Sequence, residues 1–359
     1  MTNYTRESGL NNPRKYLSHF CGPTSFVQAL SRSGAFMAAI FFAVTLLSGA
    51  SAMAASKSNE KGEGGDKAPP AAVHKKSLAK RVKASGQSIH AKAFYCVDPL
   101  TNRIILERNA DEQLPVASLT KLVTAMVILE HLPLDTKVRV PDHIKTVPKT
   151  VIGLKPGDRL SVEDLLHGLL IGSGNDCAET LACAFPGGKE KLVKAMNKKV
   201  RSLGFTHTKF YTPSGLDKKT GAEHSAKQAE NVECNVSTAK EMAQIARTAF
   251  TNTIIRMISV KKGYVLKGEN GHSYPVRTTN KLLRDDLPVY GAKTGFTSRA
   301  GHCLASEFRR GKSALLIVVL GSPNHFRDTK VAYRIALKKS EATKPDPQPD
   351  RSSRTAAFR

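Results

Sequence analysis

Tryptophan is absent from this chain of 359 residues, and aromatic residues make up only 6% of it. Neither an aromatic RNP-type strand, a zinc finger nor a basic zipper is present, so no nucleic-acid partner is expected. Six cysteines occur, Cys21, Cys96, Cys177, Cys183, Cys234 and Cys303, but none forms a C-x-x-C pair. That spacing argues against zinc-ribbon and thioredoxin-type chemistry; no metal and no cofactor are expected. The apolar run Phe36 to Leu47 is about a dozen residues, too short to span a bilayer comfortably. Acidic residues are scarce: 30 against 55 Lys plus Arg, a formal net charge of +25. Such a charge suits an anionic surrounding (nucleic acid, membrane surface or acidic wall polymer), or else a solvated surface with basic tails. No internal repeat is visible.

What is present divides the chain into four parts. Arg6, Arg14, Lys15 and Arg32 precede the apolar run, and Ala50-Ser51-Ala52 or Ala52-Met53-Ala54 fits a cleavage site. Residues 1–54 are therefore read as a secretory signal, implying export to the periplasm or cell envelope, with an uncleaved anchor as the alternative. Residues 55–87 are rich in Lys, Gly, Ala, Ser and Pro and read as a disordered basic linker. Residues 88–338 carry the folded domain, and residues 339–359 read as a disordered polar tail. Removal of Cys21 with the signal leaves five cysteines, so at least one is unpaired within the monomer. Most of them read as small buried apolar groups.

Within the folded part, Ala93–Val97 and Arg103–Glu107 are expected strands around an Asp-Pro turn. Helices are expected over 118–131, 162–170 and 189–203, the last ending at Gly204. Thr238-Ala239-Lys240-Glu241 is a capping box that opens another helix. Leu315 to Leu320 reads as a buried strand. Strands near both ends enclose a helical middle. The expected fold is α+β: an antiparallel sheet flanked by helices, with an inserted helical lobe. A site would lie between sheet and lobe.

Three short strings carry the chemistry. Ser118-Leu119-Thr120-Lys121 puts a hydroxyl at a helix start and an amine one turn on, so both share a face. A lysine serves as base only when neutral, and burial beside a second cation, here Lys293, lowers its pKa. Ser173-Gly174-Asn175 lies in a polar loop between apolar helices; Ser173 can relay a proton to a leaving amine and Asn175 can bond a substrate amide. Lys293-Thr294-Gly295 fits a strand edge that can accept an extended peptide as an added strand. There Lys293 and Thr294 can hold a carboxylate, and Gly295 permits close approach. The backbone amides of Ser118 and Phe296 are the candidate oxyanion donors. Taken singly, each string also fits a plain structural role: an N-cap with a solvated lysine, a helix-to-helix turn, or an exposed lysine in a turn.

Together, in this order, the strings resemble the low-molecular-mass penicillin-binding proteins, the serine D-alanyl-D-alanine peptidases. The likeness covers about Ser88 to Leu337 and extends to Pro213-Ser214-Gly215-Leu216, Thr279-Asn280 and Ala300-Gly301. Leu132-Pro133-Leu134-Asp135, Pro186-Gly187-Gly188, Asn235-Val236-Ser237-Thr238-Ala239 and Gly295-Phe296-Thr297 look most like the endopeptidase branch of that family. The resemblance implies a β-lactamase/transpeptidase-like fold and peptidoglycan stem peptides as substrate. It also implies β-lactams as covalent inhibitors. Ser118 would be the acyl-ester nucleophile, Lys121 the proton acceptor, Ser173 a third catalytic residue and Lys293 substrate-binding. The carboxypeptidase branch adds a β-rich domain and an amphipathic membrane helix; this chain ends in a short polar tail, so no C-terminal membrane anchor is expected. Terminal D-alanine removal, carboxypeptidase activity, is the alternative reaction. A class A β-lactamase is a weaker rival, since no E-x-x-L-N string lies between Asn175 and Lys293. A silent penicillin-binding sensor is another, although every catalytic side chain is present.

Overall fold

The computed structural model describes residues 88–218 and 232–342. The expected signal, the linker, Cys21 and the tail beyond residue 342 lie outside the described residues. Strands β1 (Ala93–Val97), β2 (Ile104–Arg108) and β3 (Leu114–Pro115) come first, followed by a 3-10 turn at Ala117–Thr120 and helix α1 (Lys121–His131). The middle holds β4 (Lys137–Arg139), β5 (Arg159–Ser161), α2 (Val162–Ile171), α3 (Asn175–Ala184) and α4 (Gly188–Ser202). Next come β6 (Val236–Ser237), α5 (Ala239–Thr251), α6 (Thr253–Ser259) and the hairpin β7 (Gly263–Lys267) and β8 (Ser273–Arg277). The chain closes with β9 (Val289–Thr297), β10 (Gly301–Arg310), β11 (Ser313–Ser322) and α7 (His325–Ala342).

The main sheet has the order β2-β1-β11-β10-β9. Both ends of the folded region build it: β1 pairs antiparallel with β11, Tyr95 opposite Val318. The apolar run of β11 is buried on both faces. Leu316, Val318 and Leu320 enter the larger core with α1 and α5, while Leu315, Ile317 and Val319 enter a second core with Val331, Ala332 and Ala336 of α7. The two-residue period of a strand sends alternate side chains to opposite faces, which explains a continuous apolar string here. The expected α+β sheet with a helical lobe is the fold observed.

Several boundaries differ from expectation. The first helix is preceded by a 3-10 turn, because Ala117 has φ of +47°, outside the helical basin. The Ser173–Gly174–Asn175 loop is shorter than expected, since Asn175 already opens α3. Helix α7 continues past Lys338 to Ala342. Half of the expected capping box forms: the Thr238 hydroxyl accepts from Glu241 N at 3.0 Å, while the Glu241 carboxylate accepts from Thr206 N, His207 N and the Thr208 hydroxyl instead. Cys96, Cys177 and Cys303 are buried thiols, whereas Cys183 is exposed and Cys234 half-buried. None of the described helices is long and apolar enough to cross a membrane.

Candidate active site

The three strings converge. The 3-10 turn holds Ser118 against β9, and Lys121, the first residue of α1, is fully buried beneath it. Lys121 Nζ lies 2.9 Å from Ser118 Oγ, 2.7 Å from Asn175 Oδ1 and 2.7 Å from the Ser214 carbonyl. No carboxylate is among these partners. As an ammonium, Lys121 donates all three bonds. As a neutral amine it has two N–H groups for Asn175 and Ser214 and one lone pair, which then faces Ser118. Burial pushes the Lys121 pKa well below the ordinary lysine value, and the Lys293 ammonium pushes the same way.

Ser173 and Lys293 form a second pair of the same kind. Lys293 is buried, and its Nζ donates to Ser173 Oγ at 2.9 Å and to the Thr294 carbonyl at 2.8 Å. Burial lowers its pKa to about 7. The Lys293 amine is thus committed inward and is not exposed at the sheet edge. Ser173 is itself buried and has φ of +59°. Ala117, next to Ser118, and Ser173 itself are thus two non-glycine residues in the left-handed region. Such strain persists only where surrounding contacts over-determine it.

Those contacts involve residues to which the sequence reading assigned no role. Asp176 follows Asn175, and its carboxylate accepts from the amides of Ile152, Gly153 and Leu154 at 2.8–3.1 Å. Asn175 adds its own amide to the Thr150 carbonyl (2.8 Å) and its Nδ2 to the Pro148 carbonyl (3.0 Å). The segment 148–154 therefore locks the loop that presents Ser173 and Asn175. On the other side, buried Asn235 donates to Thr120 Oγ1 (2.9 Å) and the Thr212 carbonyl (2.8 Å) while accepting from Tyr211 N (2.7 Å). It ties Tyr211 and Thr212, which lead into the Pro213–Leu216 segment, to the Ser118 turn. The only sequence signal for either residue was position: Asp176 adjoins Ser173-Gly174-Asn175, and Asn235 opens a quoted family stretch.

β9 is one of the two edge strands of the main sheet. Thr294 Oγ1 sits 2.5 Å from Thr279 Oγ1. A Cβ added at Gly295 would stand 3.0 Å from Ser118 N and 3.2 Å from Ala117 Cβ. The Ser118 amide therefore packs directly on the strand beside Phe296. Phe296 is 56% exposed and packs on His302 in a tilted pair, 4.4 Å between centroids. The expected residues Ser118, Lys121, Ser173, Asn175, Lys293, Thr294, Gly295 and Phe296 are all brought together where the edge of the sheet meets the helical lobe.

An antiparallel sheet packed on a helical lobe, with two serine–lysine pairs at its edge, defines the penicillin-binding-protein fold. A point mutant of the Streptomyces K15 DD-transpeptidase superposes with a TM-score of 0.62 at 27% identity, covering 71% of this chain and 99% of that one. The sequence pattern of the D-alanyl-D-alanine carboxypeptidase family, peptidase family S11, matches residues 79–324. The chain belongs to that family of D-Ala-D-Ala peptidases, which are hydrolases. It is 34% identical over 266 residues to a D-alanyl-D-alanine endopeptidase of Escherichia coli, covering 72% of this chain and 80% of that protein. It is 30% identical over 238 residues to the D-alanyl-D-alanine carboxypeptidase DacF of Bacillus subtilis. That match takes in 65% of this chain and 57% of the longer relative.

Proposed function

We propose that the protein is exported to the cell envelope and there cleaves D-alanyl-D-alanine crosslinks of peptidoglycan as a penicillin-sensitive serine endopeptidase. The observation that carries this reading is the Lys121 amine, 2.9 Å from Ser118 Oγ and held by two neutral acceptors with no carboxylate partner. Ser118 Oγ attacks the D-alanine carbonyl as its proton passes to neutral Lys121. The oxyanion that forms is held by the amides of Ser118 and Phe296. Collapse expels the amine, which takes a proton through Ser173, itself bonded to Lys293. Water then hydrolyses the Ser118 ester by the same route in reverse. The donor stem lies along β9, with Asn175 on its amide and Thr294 and Lys293 near the carboxylate. A β-lactam enters the same groove and leaves Ser118 acylated.

The endopeptidase name of the E. coli relative, which this chain matches over 80% of its length, favours crosslink cleavage. The carboxypeptidase name of the Bacillus relative supports terminal D-alanine removal as the second reading. Both reactions break the bond after the same D-alanine, so they share the acylation machinery. Mass spectrometry of digested peptidoglycan separates them. Release of monomers from crosslinked dimers is the expected product; loss of one terminal D-alanine without release of monomers would favour the second reading.

A further inference from the structure

Away from the groove, on the outer face of α3, three different metal-ligating side chains meet. Glu179 and Cys183 are one helical turn apart and share a face of α3. His143 comes from the 3-10 turn Asp142–Thr146, packed against that face. One ligand atom from each of His143, Glu179 and Cys183 lies within 4.8 Å of the others. His143 Nε2 is 3.2 Å from Glu179 Oε1. Ligand pairs on a tetrahedral zinc ion, with bonds of about 2.0–2.3 Å, stand about 3.3–3.6 Å apart. The group must close from at most 4.8 Å to that spacing, and its two exposed members, His143 and Cys183, are the side chains with room to turn.

We propose that His143, Glu179 and Cys183 form a binding site for a borderline-soft divalent cation of the zinc class. Imidazole nitrogen, thiolate sulfur and carboxylate oxygen are the donors such a cation takes. Calcium and magnesium, which take oxygen donors, gain nothing from the thiol. The thiolate and carboxylate oppose the charge of the cation, although the Lys189 ammonium on the same carboxylate leaves the occupied site positive. Lys189 bonds Glu179 Oε2 at 2.8 Å and Oε1 at 3.1 Å. It keeps the nearer oxygen while the cation takes Oε1 in place of the His143 hydrogen bond. Three protein ligands leave the fourth position to water. Binding releases the Cys183 thiol proton to solvent.

The position gives the site a consequence. The first turn of α3 is already tied to residues 148–154 through Asn175 and Asp176. A cation joining His143 to Glu179 and Cys183 adds a second tie two turns further along the same helix. The segment that orients Asn175 is then fastened at both ends. This inference does not rest on the endopeptidase reading.

Cobalt, an optical stand-in for zinc, tests it on the full metal-free chain kept reduced with a non-chelating phosphine. The expected result is a thiolate-to-cobalt charge-transfer band that saturates at one equivalent, is bleached by zinc, and accompanies a rise in Tm. Affinity should fall at least about tenfold in Cys183→Ser and in His143→Ala and stay unchanged in Cys234→Ser. Fluorescent penicillin labelling at the wild-type level reports that the variants are folded. No band in the wild type would overturn the proposal. So would a band that survives Cys183→Ser or His143→Ala, or a Cys183 disulfide between two copies forming in place of cation binding under these reducing conditions.

Discussion

Lys293 Nζ donates to Ser173 Oγ at 2.9 Å across 120 positions of the chain. The nucleophile candidate has its own lysine at the same distance, so the site holds two serine–lysine pairs and no carboxylate partner to either amine. Each lysine therefore loses solvation without gaining an ion pair, and each is pushed toward its neutral form.

The stability of the fold should report that cost. Lys293 has a folded pKa of about 7, below its ordinary value. Between the two values the unfolded chain binds more protons, so stability rises with pH across that window and falls as pH drops toward 7. Replacing Lys293 with Met removes this contribution. The wild-type loss of stability from pH 10 to 7 should exceed that of Lys293→Met by roughly 3 kcal/mol. Denaturant unfolding of both proteins at each pH is the measurement; parallel curves would mean Lys293 keeps its ordinary value in the fold.

Acylation should depend on Ser118 and on the neutral form of Lys121. Ser118→Ala should give no covalent band with fluorescent penicillin. Lys121→Arg should fold but acylate at least about a hundredfold more slowly, since a guanidinium cannot be deprotonated here. In the wild type the acylation rate should climb with pH and level off well below pH 10, because burial and Lys293 lower the Lys121 pKa. A rate still climbing at pH 10 would exclude Lys121 as the base.

Asp176 is a positioning residue. Its carboxylate accepts from three successive loop amides, and removal leaves those donors without a partner. Asp176→Ala should cost about 2–4 kcal/mol and slow acylation by freeing Asn175. Asp176→Asn keeps one acceptor oxygen and should fall between. Equal stability of Asp176→Ala and wild type in urea unfolding would contradict this reading.

Gly215 sits at φ +85°, where an added Cβ would stand 2.0 Å from the Ala117 carbonyl oxygen. Gly215→Ala combines an unfavourable backbone with a clash against the nucleophile turn and should cost at least about 2 kcal/mol. Acylation should slow in parallel. Gly311 has φ of +57° and nothing within 4 Å of its added Cβ. Gly311→Ala should cost about 1 kcal/mol and leave labelling intact. Tm and labelling rate measured on both variants check the contrast.

Local rules made much of this legible before any coordinates. The stripe Leu122, Met126 and Leu129 marks α1, and the capping box at Thr238 marks the start of α5, because helix periodicity and caps involve neighbours three and four apart. The run Leu315 to Leu320 announces a strand buried on both faces. The short β4–β5 ladder, α6 and the β7–β8 hairpin were not anticipated: their strands are brief or half-exposed and carry no strong period.

Amino-acid order alone determined which side chains are available to the site: two serines, two lysines, an asparagine and a strand-edge glycine, in three strings of recognisable spacing. It also determined that Ser118 and Lys121 share a face, since three residues make about one helical turn. Tertiary structure alone decided the rest. Lys121 meets Asn175 across 54 positions and the Ser214 carbonyl across 93, and Lys293 reaches Ser173 across 120. Burial of both amines, the hold of Asp176 and Asn235, and the meeting of His143 with Glu179 and Cys183 are equally non-local. No periodicity encodes such contacts, because they arise only when sheet and helical lobe pack on each other and bury the two amines between them.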